Sequence, residues 1–422
     1  MKRALKYLAA TILVLVLLAG GIIGFREAKD YYDDWYIDTH LVRTTPFPAA
    51  DAPDQIALTW SADPRTTQTV QWRTSTAIGD GSVEWRRKGS GSEEVKAAKA
   101  SHTAVEDKML KNDPVVHRFT AVLEELSPAT EYEYRVGSAA AGTWSEWNSF
   151  TTAPDGPANF SFIYQGDPQL GLEEWGKLIH KAQENHSSAA FHVIAGDLVN
   201  SGSWRNEWDR FFEGGRGVFN ARPVVPVLGN HDYDKKASPY LYLESFALGT
   251  NGPDGLAERA YSFEYANALF VILDSNDNLS DQTPWLEDQL AKSKAVWKFA
   301  VYHHPAYSSA PNRDNSYVRQ KWAALFDKYH VDMALQGHDH AYLRTYPLNN
   351  GRRVASAKDG TYYVVSVSGT KYYEQEQHDY AEVAFEKVST YQTIGITTNP
   401  DKLVYRCIDF GGKVRDEVVI EK

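Results

Sequence analysis

The stretch VVPVLGNHDYD, residues 224–234, contains the pattern that decides the fold of the larger part of this chain. An apolar run with β-strand character ends at Gly229 and is followed at once by Asn230, His231 and Asp232. A glycine at this point lets the chain turn sharply and approach a bound ion closely. Because ligands of open α/β sheets bind beyond the carboxyl ends of the strands, the stretch predicts one wall of a ligand site.

The same arrangement recurs four more times along the chain. Apolar runs stop and polar residues follow at Gly166-Asp167-Pro168-Gln169, Gly196-Asp197-Leu198-Val199-Asn200, His303-His304-Pro305 and Gly337-His338-Asp339-His340. Segments with helical patterning, such as residues 172–185 and 316–330, alternate with these runs. The alternation predicts an α/β domain with a largely parallel core of layered sheets and helices, completed by hairpin-like strands after residue 360. Five strand ends should therefore converge on one place.

An all-β domain is predicted before this α/β domain. From about residue 50 to 153 apolar and polar residues alternate with period two, as in TQTVQWRT (67–74). The segment LSPATEYEYRV (126–136) and the closing FTTAP (150–154) resemble the corner and final strand of fibronectin type III sandwiches. We expect a fibronectin type III-like domain at 50–153, after a linker at 26–49, and the α/β domain at 158–422.

The bulk composition excludes some classes of partner and of site. The 422 residues carry 44 Lys and Arg against 55 Asp and Glu, a formal net charge of -11. This balance argues against binding to a nucleic-acid backbone, which requires a basic surface. Cys407 is the single cysteine, so an intrachain disulfide and a cysteine-based metal site are both excluded.

The first 25 residues predict a membrane anchor. Lys2, Arg3 and Lys6 precede residues 7–25, which carry no charge, and Arg26 follows. At ~1.5 Å per residue such a helix crosses the hydrocarbon layer of a bilayer. Positive charge before the segment places the two domains that follow outside the cytoplasm, in a single-pass membrane protein. A cleaved signal peptide, which would give a secreted protein, is the alternative.

The residue types at the five strand ends indicate a metal centre. Carboxylate, imidazole and amide groups without thiolate suit Zn, Mn or Fe. A single carboxylate bridges two cations with its two oxygens, so the set is compatible with a dinuclear centre. Taken singly, an Asp after a strand is more often a turn or helix-capping residue, but five such ends in one chain favour a site.

These motifs resemble those of the calcineurin-like metallophosphoesterase superfamily, and within it the purple acid phosphatase group. GNHD (229–232) and GHDHAYLRTYP (337–347) carry the resemblance, and the preceding fibronectin-like domain fits it. The resemblance implies a layered α-β-β-α catalytic domain and two divalent or trivalent metal ions. It also implies six metal ligands: Asp167, Asp197, Asn230, His303, His338 and His340.

Roles within the site follow from the same resemblance. Asp197 is expected to bridge the two ions. The first ion is expected to bind Asp167 and His340. The second ion is expected to bind Asn230, His303 and His338. His231 is expected to stand beside the site and either donate a proton to the leaving oxygen or hydrogen-bond the phosphoryl group, and Asp232 to orient its ring.

The chain departs from the family pattern around the first ion. Asn200 stands where the purple enzymes carry an iron-ligating tyrosine, and Gln169 stands where the wider superfamily has a histidine. Either amide oxygen, or water, could complete the first site, whose affinity we expect to be low. Without the tyrosine phenolate, no purple colour is expected. Asn312 and Arg313 are candidates for a phosphate contact, because a guanidinium binds phosphate through two hydrogen bonds.

The function implied by the resemblance is metal-dependent hydrolysis of a small phosphoester. The expected activity is that of an acid-phosphatase-like phosphomonoesterase with a bridging hydroxide as the nucleophile. Phosphodiester or nucleotide hydrolysis is the first alternative. A surface binding protein with a degraded metal site is the second alternative, and the departures at Gln169 and Asn200 are its only support.

Overall fold

The computed structural model describes residues 40–233 and 238–422. The predicted membrane segment, residues 1–25, and most of the linker lie outside the described residues. Within the described part of the chain, no helix is both long enough and apolar enough to cross a bilayer.

The first domain is a sandwich of two antiparallel sheets. Its strands are β1 (Asp54–Thr59), β2 (Gln68–Thr74), β3 (Ser82–Arg87), β4 (Lys96–Lys99), β5 (Ser101–Glu106), β6 (Val115–Leu123), β7 (Glu131–Ser138), β8 (Thr143–Trp144) and β9 (Asn148–Thr151). One sheet has the order β1-β2-β6-β5, and the other has the order β4-β3-β7-β8 with β9 also paired to β7. All nine strands fall inside the region where the sequence predicts a β domain.

The alternating residues of these strands form the core of the sandwich. Trp72 on β2 stacks on Phe119 of β6 with ring centroids 5.3 Å apart, and both side chains are fully buried. Each such burial stabilises the fold by about 1.5–3 kcal/mol relative to an exposed side chain. The hydroxyl of Tyr132 accepts a hydrogen bond from the backbone N–H of Ser127, 2.9 Å away. This bond fixes the corner that the sequence predicts at 126–136.

The second domain contains two larger sheets and the helices that cover them. Its strands are β10 (Phe160–Gln165), β11 (His192–Ile194), β12 (Val224–Pro226), β13 (Tyr261–Tyr265), β14 (Ala268–Ile272), β15 (Trp297–Val301), β16 (Met333–Gln336), β17 (Tyr342–Thr345), β18 (Leu348–Asn349), β19 (Arg352–Arg353), β20 (Tyr362–Val365), β21 (Ala381–Phe385), β22 (Thr390–Thr397), β23 (Lys402–Asp409) and β24 (Val414–Glu421). Its helices are α1 (Leu172–Asn185), α2 (Arg205–Gly215), α3 (Tyr240–Ser245), α4 (Leu279–Lys292), α5 (Ser316–Val318) and α6 (Ala324–Tyr329), the last two joined by a π-helical turn at Arg319–Ala323.

Both large sheets are mixed, which corrects the expectation of a largely parallel core. The six-stranded sheet has the order β12-β11-β10-β22-β23-β24, and the seven-stranded sheet has the order β13-β14-β15-β16-β20-β17-β21. The strands before the site loops pair in parallel, β10 with β11, β11 with β12, and β15 with β16. The other half of the six-stranded sheet is antiparallel, because the consecutive strands β22, β23 and β24 enter it as hairpins.

The layers follow the order helix, sheet, sheet, helix. Between the sheets, Phe162 of β10 meets Phe270 of β14 edge-on, with centroids 5.2 Å apart. Ile163, the next residue, points to the other face and clusters with Leu178 and Ala182 of α1. On the far side, α4 and the helical run to α6 cover the second sheet, with Trp322 fully buried there. The layered architecture expected from the sequence is therefore present.

Candidate metal centre

The loops that follow β10, β11, β12, β15 and β16 carry the site residues that the sequence predicts. In the six-stranded sheet β10, β11 and β12 are parallel neighbours, and in the seven-stranded sheet β15 and β16 are parallel neighbours. Within each sheet the carboxyl ends of these strands therefore lie at the same edge. The two edges are tied together by a hydrogen bond that the hydroxyl of Tyr164, on β10, donates to the carbonyl of Gln336, on β16. The five strand ends therefore converge, as predicted.

The backbone of these loops is held in conformations that L-residues seldom adopt. Positive φ values occur at Asp167 (48°), Asp197 (51°), His338 (77°) and His340 (47°). Such conformations cost about 1–3 kcal/mol each and cluster at functional sites. Gly196, with φ 85°, passes so close to His303 that a Cβ atom would lie 2.5 Å from the Nδ1 atom of that ring. The sharp turns aim the polar side chains inward.

The first group of donors consists of Asp167, Asp197 and His340, all buried. One donor atom from each lies within 4.8 Å of the others. The Nε2 atom of His340 is 3.6 Å from the Asp167 Oδ1 atom. The Nε2 atom of Gln169 lies 2.7 Å from the Asp197 Oδ2 atom and 3.2 Å from the His340 Nε2 atom. Among the described residues, the buried Oε1 atom of Gln169 has no hydrogen-bond partner.

The second group shares Asp197 and adds His303 and His338, with donor atoms again within 4.8 Å. The Nε2 atom of His303 is 3.2 Å from the Asp197 Oδ1 atom and 3.1 Å from the His338 Nδ1 atom. It is also 3.2 Å from the Oδ1 atom of Asn230. The Oδ1 atom of Asp197 therefore faces this group, and its Oδ2 atom faces Gln169 beside the first group, an arrangement that suits two adjacent cations.

Backbone carbonyls fix the orientation of two of the imidazoles. The Nδ1 atom of His303 donates to the carbonyl of Ala195 (2.9 Å), and the Nδ1 atom of His340 donates to the carbonyl of Lys371 (3.1 Å). In both rings Nδ1 therefore carries a hydrogen and the Nε2 atom faces the centre. Metal-ligating histidines are oriented in this way by their outer partners.

Burial and mutual proximity shift the pKa values of the cluster in opposite directions. Burial raises the pKa of Asp167 well above its ordinary range. Burial also acts to raise the pKa of Asp197, but the adjacent His303 outweighs it and the net pKa is lowered. For His303 the cost of burial is outweighed by Asp197, which raises its pKa to about 9. Burial lowers the pKa of His340 to about 3, so this ring is a neutral donor at neutral pH.

The cluster suits cations better than protons. Two carboxylates and three imidazoles supply donor atoms to two groups that share Asp197, each with its donor atoms within 4.8 Å of one another, and the Gln169 oxygen has no partner among residues 40–233 and 238–422. Buried charges require pairing or coordination to a metal. Oxygen and nitrogen donors without thiolate match Zn, Mn or Fe. The residues present therefore fit two metal ions.

His231 stands at the edge of this centre and is half-buried. Its backbone N–H donates to the Oδ1 atom of Asp197 (2.9 Å), and its Nδ1 atom donates to the carbonyl of Asn200 (2.7 Å). With the hydrogen of the neutral ring on Nδ1, the Nε2 atom is the one available for proton exchange. His231 therefore lies beside the metal donors, and its role as a proton donor stays a prediction.

The prediction that Asp232 orients the His231 ring is wrong. Asp232 is fully buried, and its Oδ1 atom accepts from the backbone N–H groups of Leu198 (2.8 Å) and Val199 (3.2 Å). Its Oδ2 atom accepts from the N–H of Gly229 (2.8 Å). Asp232 therefore joins the loops after β11 and β12, and the Asn200 carbonyl performs the orienting role.

Arg313, a candidate for a phosphate contact, and Asn200, a candidate ligand of the first ion, also make structural contacts. The guanidinium of Arg313 donates to the Oδ1 atom of Asp339 (3.2 Å) and to the carbonyl of His338 (3.1 Å). It thus braces the His338 loop, while its side chain stays 30% exposed. Asn200 contacts His231 through its backbone carbonyl and lines a cavity of about 840 Å³ between α1 and α2.

The structure also shows which other side chains neighbour the site. The ring centroid of His304 lies 4.3 Å from that of His338, and the Nδ1 atom of His304 lies 2.9 Å from Ser275 Oγ. The ring of Tyr373 packs on His340 with centroids 4.8 Å apart. Glu207 of α2 binds the loop that contains Asn200. No local signal could have identified Glu207, since an acidic residue in the first turn of a helix is common.

Comparison with known proteins agrees with this geometry. A family model described as the purple acid phosphatase N-terminal domain matches residues 53–152, and one described as calcineurin-like phosphoesterase matches residues 160–342. Purple acid phosphatase 18 of Arabidopsis thaliana is 27% identical over 361 residues, covering 81% of this chain and 77% of that protein. The Fe(3+)-Zn(2+) purple acid phosphatase 12 of the same plant is 24% identical over 365 residues, covering 81% and 74%.

The fold has a close counterpart among solved structures. Purple acid phosphatase PPD1 from yellow lupin (Lupinus luteus) seeds has a TM-score of 0.76 at 18% identity, covering 88% of this chain and 74% of that one. This likeness supports the same two-domain architecture.

Proposed function

We propose, from the membership of this chain in the calcineurin-like phosphoesterases and, within them, in the purple acid phosphatase group, that it is a metal-dependent phosphomonoesterase. One observation carries the proposal. Asp197 is shared by two donor groups, one buried and one buried except for the half-buried His338, and each has the size and the chemistry of a metal site.

Two ions of the Fe, Mn or Zn class would bind here. Asp167, Asp197 and His340 would hold the first, and the second would bind the set Asp197, Asn230, His303 and His338. Ions bound there would supply the positive charge that neutralises a phosphoester and activates water towards it. Gln169 would complete the first site with its amide oxygen, since the tyrosine of the purple enzymes is replaced by Asn200.

His231 supplies the proton in this proposal. Its Nδ1–H is engaged by the Asn200 carbonyl, so in the imidazolium form the second hydrogen lies on Nε2, which is directed away from that carbonyl. Transfer of this Nε2 hydrogen protonates the leaving oxygen and leaves a neutral ring with its hydrogen on Nδ1. The hydrogen bond from its backbone N–H to Asp197 keeps the residue at a fixed distance from the metal donors. A proton delivered in this way typically accelerates ester cleavage by about 10²–10⁴-fold.

Turnover of a phosphomonoester and of a phosphodiester by the same protein tests the activity. The protein is stripped with a chelator, reloaded with Mn, Zn or Fe, and assayed with p-nitrophenyl phosphate and with bis(p-nitrophenyl) phosphate. We expect metal-dependent turnover with a higher kcat/KM for the monoester. Preference for the bis ester would favour phosphodiester hydrolysis, and no metal-dependent turnover of either ester would refute the enzyme proposal.

We further propose that residues 7–25 anchor the protein in a membrane with the catalytic domain outside the cytoplasm. The uncharged segment that follows Lys2, Arg3 and Lys6 supports this placement. Expressed at full length, the protein should stay in the membrane fraction after a carbonate wash, and protease added outside spheroplasts should digest it. Recovery in the soluble fraction at full mass would contradict the anchor.

A further inference from the structure

The orientation of His231 depends on one peptide group in the loop after β11. The carbonyl of Asn200 accepts the Nδ1–H of His231 at 2.7 Å. The N–H of Ser201 belongs to the same planar peptide group and points in the opposite direction, as in any trans peptide. Whatever holds that N–H therefore also aims the carbonyl at His231.

Glu207 holds this peptide group. Its Oε2 atom accepts from the N–H of Ser201 at 2.9 Å and from the N–H of Asn200 at 2.7 Å. Both bonds end on one oxygen of one side chain, so the loop is fixed at two successive amides. The backbone N–H of Gly202 adds a bond to the carbonyl of His231 at 2.8 Å, which keeps the two loops in register.

Helix α2, which carries Glu207, is in turn fixed by the first domain. The N–H of Arg205, at the start of α2, donates to the Oδ2 atom of Asp107 (3.1 Å), and its guanidinium pairs with Asp113 (3.1 Å). The indole N–H of Trp208 donates to the carbonyl of Gly202 (2.9 Å), a second link from α2 to the loop. The contacts therefore run from the β sandwich through α2 to the peptide group behind His231.

We propose that Glu207 is a positioning residue that aims the proton-donating ring of His231 through the Asn200–Ser201 peptide group. The proposal rests on the proposed phosphomonoesterase function. It gives the first domain a part in catalysis, because that domain sets the position of α2. What matters in Glu207 is an acceptor oxygen at the right distance.

Replacement of Glu207 tests this relay in the full-length, metal-loaded protein. Glu207→Ala removes the acceptor, and Glu207→Gln keeps a carbonyl oxygen in its place. The substrates are p-nitrophenyl phosphate, whose leaving group departs as a stable anion, and glycerol 2-phosphate, whose alkoxide needs a proton. Circular dichroism and metal content verify that each variant is folded and loaded, and Glu207→Asp, which keeps the charge but is shorter, substitutes if the alanine variant does not fold.

The expected result is a loss confined to proton donation. Glu207→Ala should lower kcat for glycerol 2-phosphate by about tenfold or more, with a much smaller loss for p-nitrophenyl phosphate and little change in KM. Glu207→Gln should stay close to the wild type on both substrates. In a His231→Ala background, Glu207→Ala should cost nothing further, since residues that act as a unit are not additive. The matched control is Glu213→Ala on the same helix, where Glu213 pairs with Arg216 at the surface and should not affect either substrate.

Two outcomes would overturn the proposed relay, and a third would overturn the proposed function. Equal losses on both substrates, or an undiminished effect in the His231→Ala background, would mean that Glu207 is only structural and would overturn the relay. If the wild type cleaves neither ester with any metal, the proposed function itself fails. The two failures are therefore distinguishable.

Discussion

Gln169 is fully buried, and its Nε2 group contacts two donors of the first metal group, Asp197 and His340. The amide group thus lies against two of the donors that would hold the first ion. Its oxygen is buried, and the described chain offers it no partner. Because oxygen and nitrogen of a glutamine amide are assigned from the surrounding hydrogen bonds, a rotated amide would present the oxygen to an ion instead. We therefore expect Gln169 to set the affinity of the first site.

Metal titration of Gln169 variants measures this effect. We expect two unequal sites in the wild-type protein, the weaker being the one at Gln169. Gln169→Leu should weaken that site by about tenfold or more and leave the other site unchanged, whereas Gln169→Glu should strengthen it by adding a charged oxygen. Isothermal titration with Zn or Mn, together with elemental analysis, gives both affinities. Two equally tight sites in the wild type would reject the hypothesis.

At the residue scale, the sequence identifies donors better than it identifies their supports. The predicted ligand Asp197 follows an apolar run and a glycine, and such a pattern is readable without a structure. Asp232 and Glu207 bind backbone amides of a loop 6 to 34 residues away in the chain. The partner of such a carboxylate depends on how the strands pair, which no local pattern encodes. For that reason the role of Asp232 was predicted wrongly and that of Glu207 was missed.

At the scale of elements, β10, β11 and β12 were predictable and their sheet was not. The apolar runs and the helices between them indicate parallel neighbours, which the structure contains. The late strand β22 inserts beside β10 in antiparallel orientation, although more than 200 residues separate Phe160 from its partner Ile396. The pairing brings the C-terminal hairpins into the sheet and makes it mixed. A contact of this sequence separation is beyond the reach of periodicity.

His192 on strand β11 should make the stability of the protein depend on pH. His192 is fully buried there, with its Nε2 atom 2.9 Å from the Gln183 Oε1 atom of α1. Burial lowers its pKa from 6.5 to about 3. Between these values the unfolded chain binds a proton that the folded protein does not, so this residue makes stability fall as the pH drops from 6.5 towards 3.

His192→Gln should remove that pH dependence. Relative to the variant, the wild-type free energy of unfolding should be lower at pH 5 than at pH 7.5 by about 2 kcal/mol. Urea denaturation of both proteins in the presence of a chelator measures the difference, because the metal donors then contribute equally to each. An identical difference at the two pH values would show that His192 does not titrate in this way.

At the scale of the whole molecule, the sequence predicts two domains but not how they are joined. The junction contains buried charges that look, in the sequence, like ordinary surface residues. Arg73 of β2 contacts Asp209 of α2 at 2.6 Å, and both side chains are 1% exposed. Arg73 also binds Asp54 at 2.6 Å. Burial raises the pKa of Asp209 although Arg73 and Arg205 oppose this, so the carboxylate depends on its cationic partners.

Removal of Arg73 should therefore destabilise the entire molecule. Arg73→Met leaves Asp209 buried without its main partner and should lower the free energy of unfolding by about 3–5 kcal/mol. Arg65→Met is the matched control, since Arg65 and its partner Asp63 are 46% and 38% exposed and such pairs contribute less than about 1 kcal/mol. The double variant Arg73→Met/Asp209→Leu should recover part of the loss, because it removes the stranded charge. Chemical denaturation measures all three variants, and equal losses for Arg73→Met and Arg65→Met would show that the buried cluster does not hold the domains together.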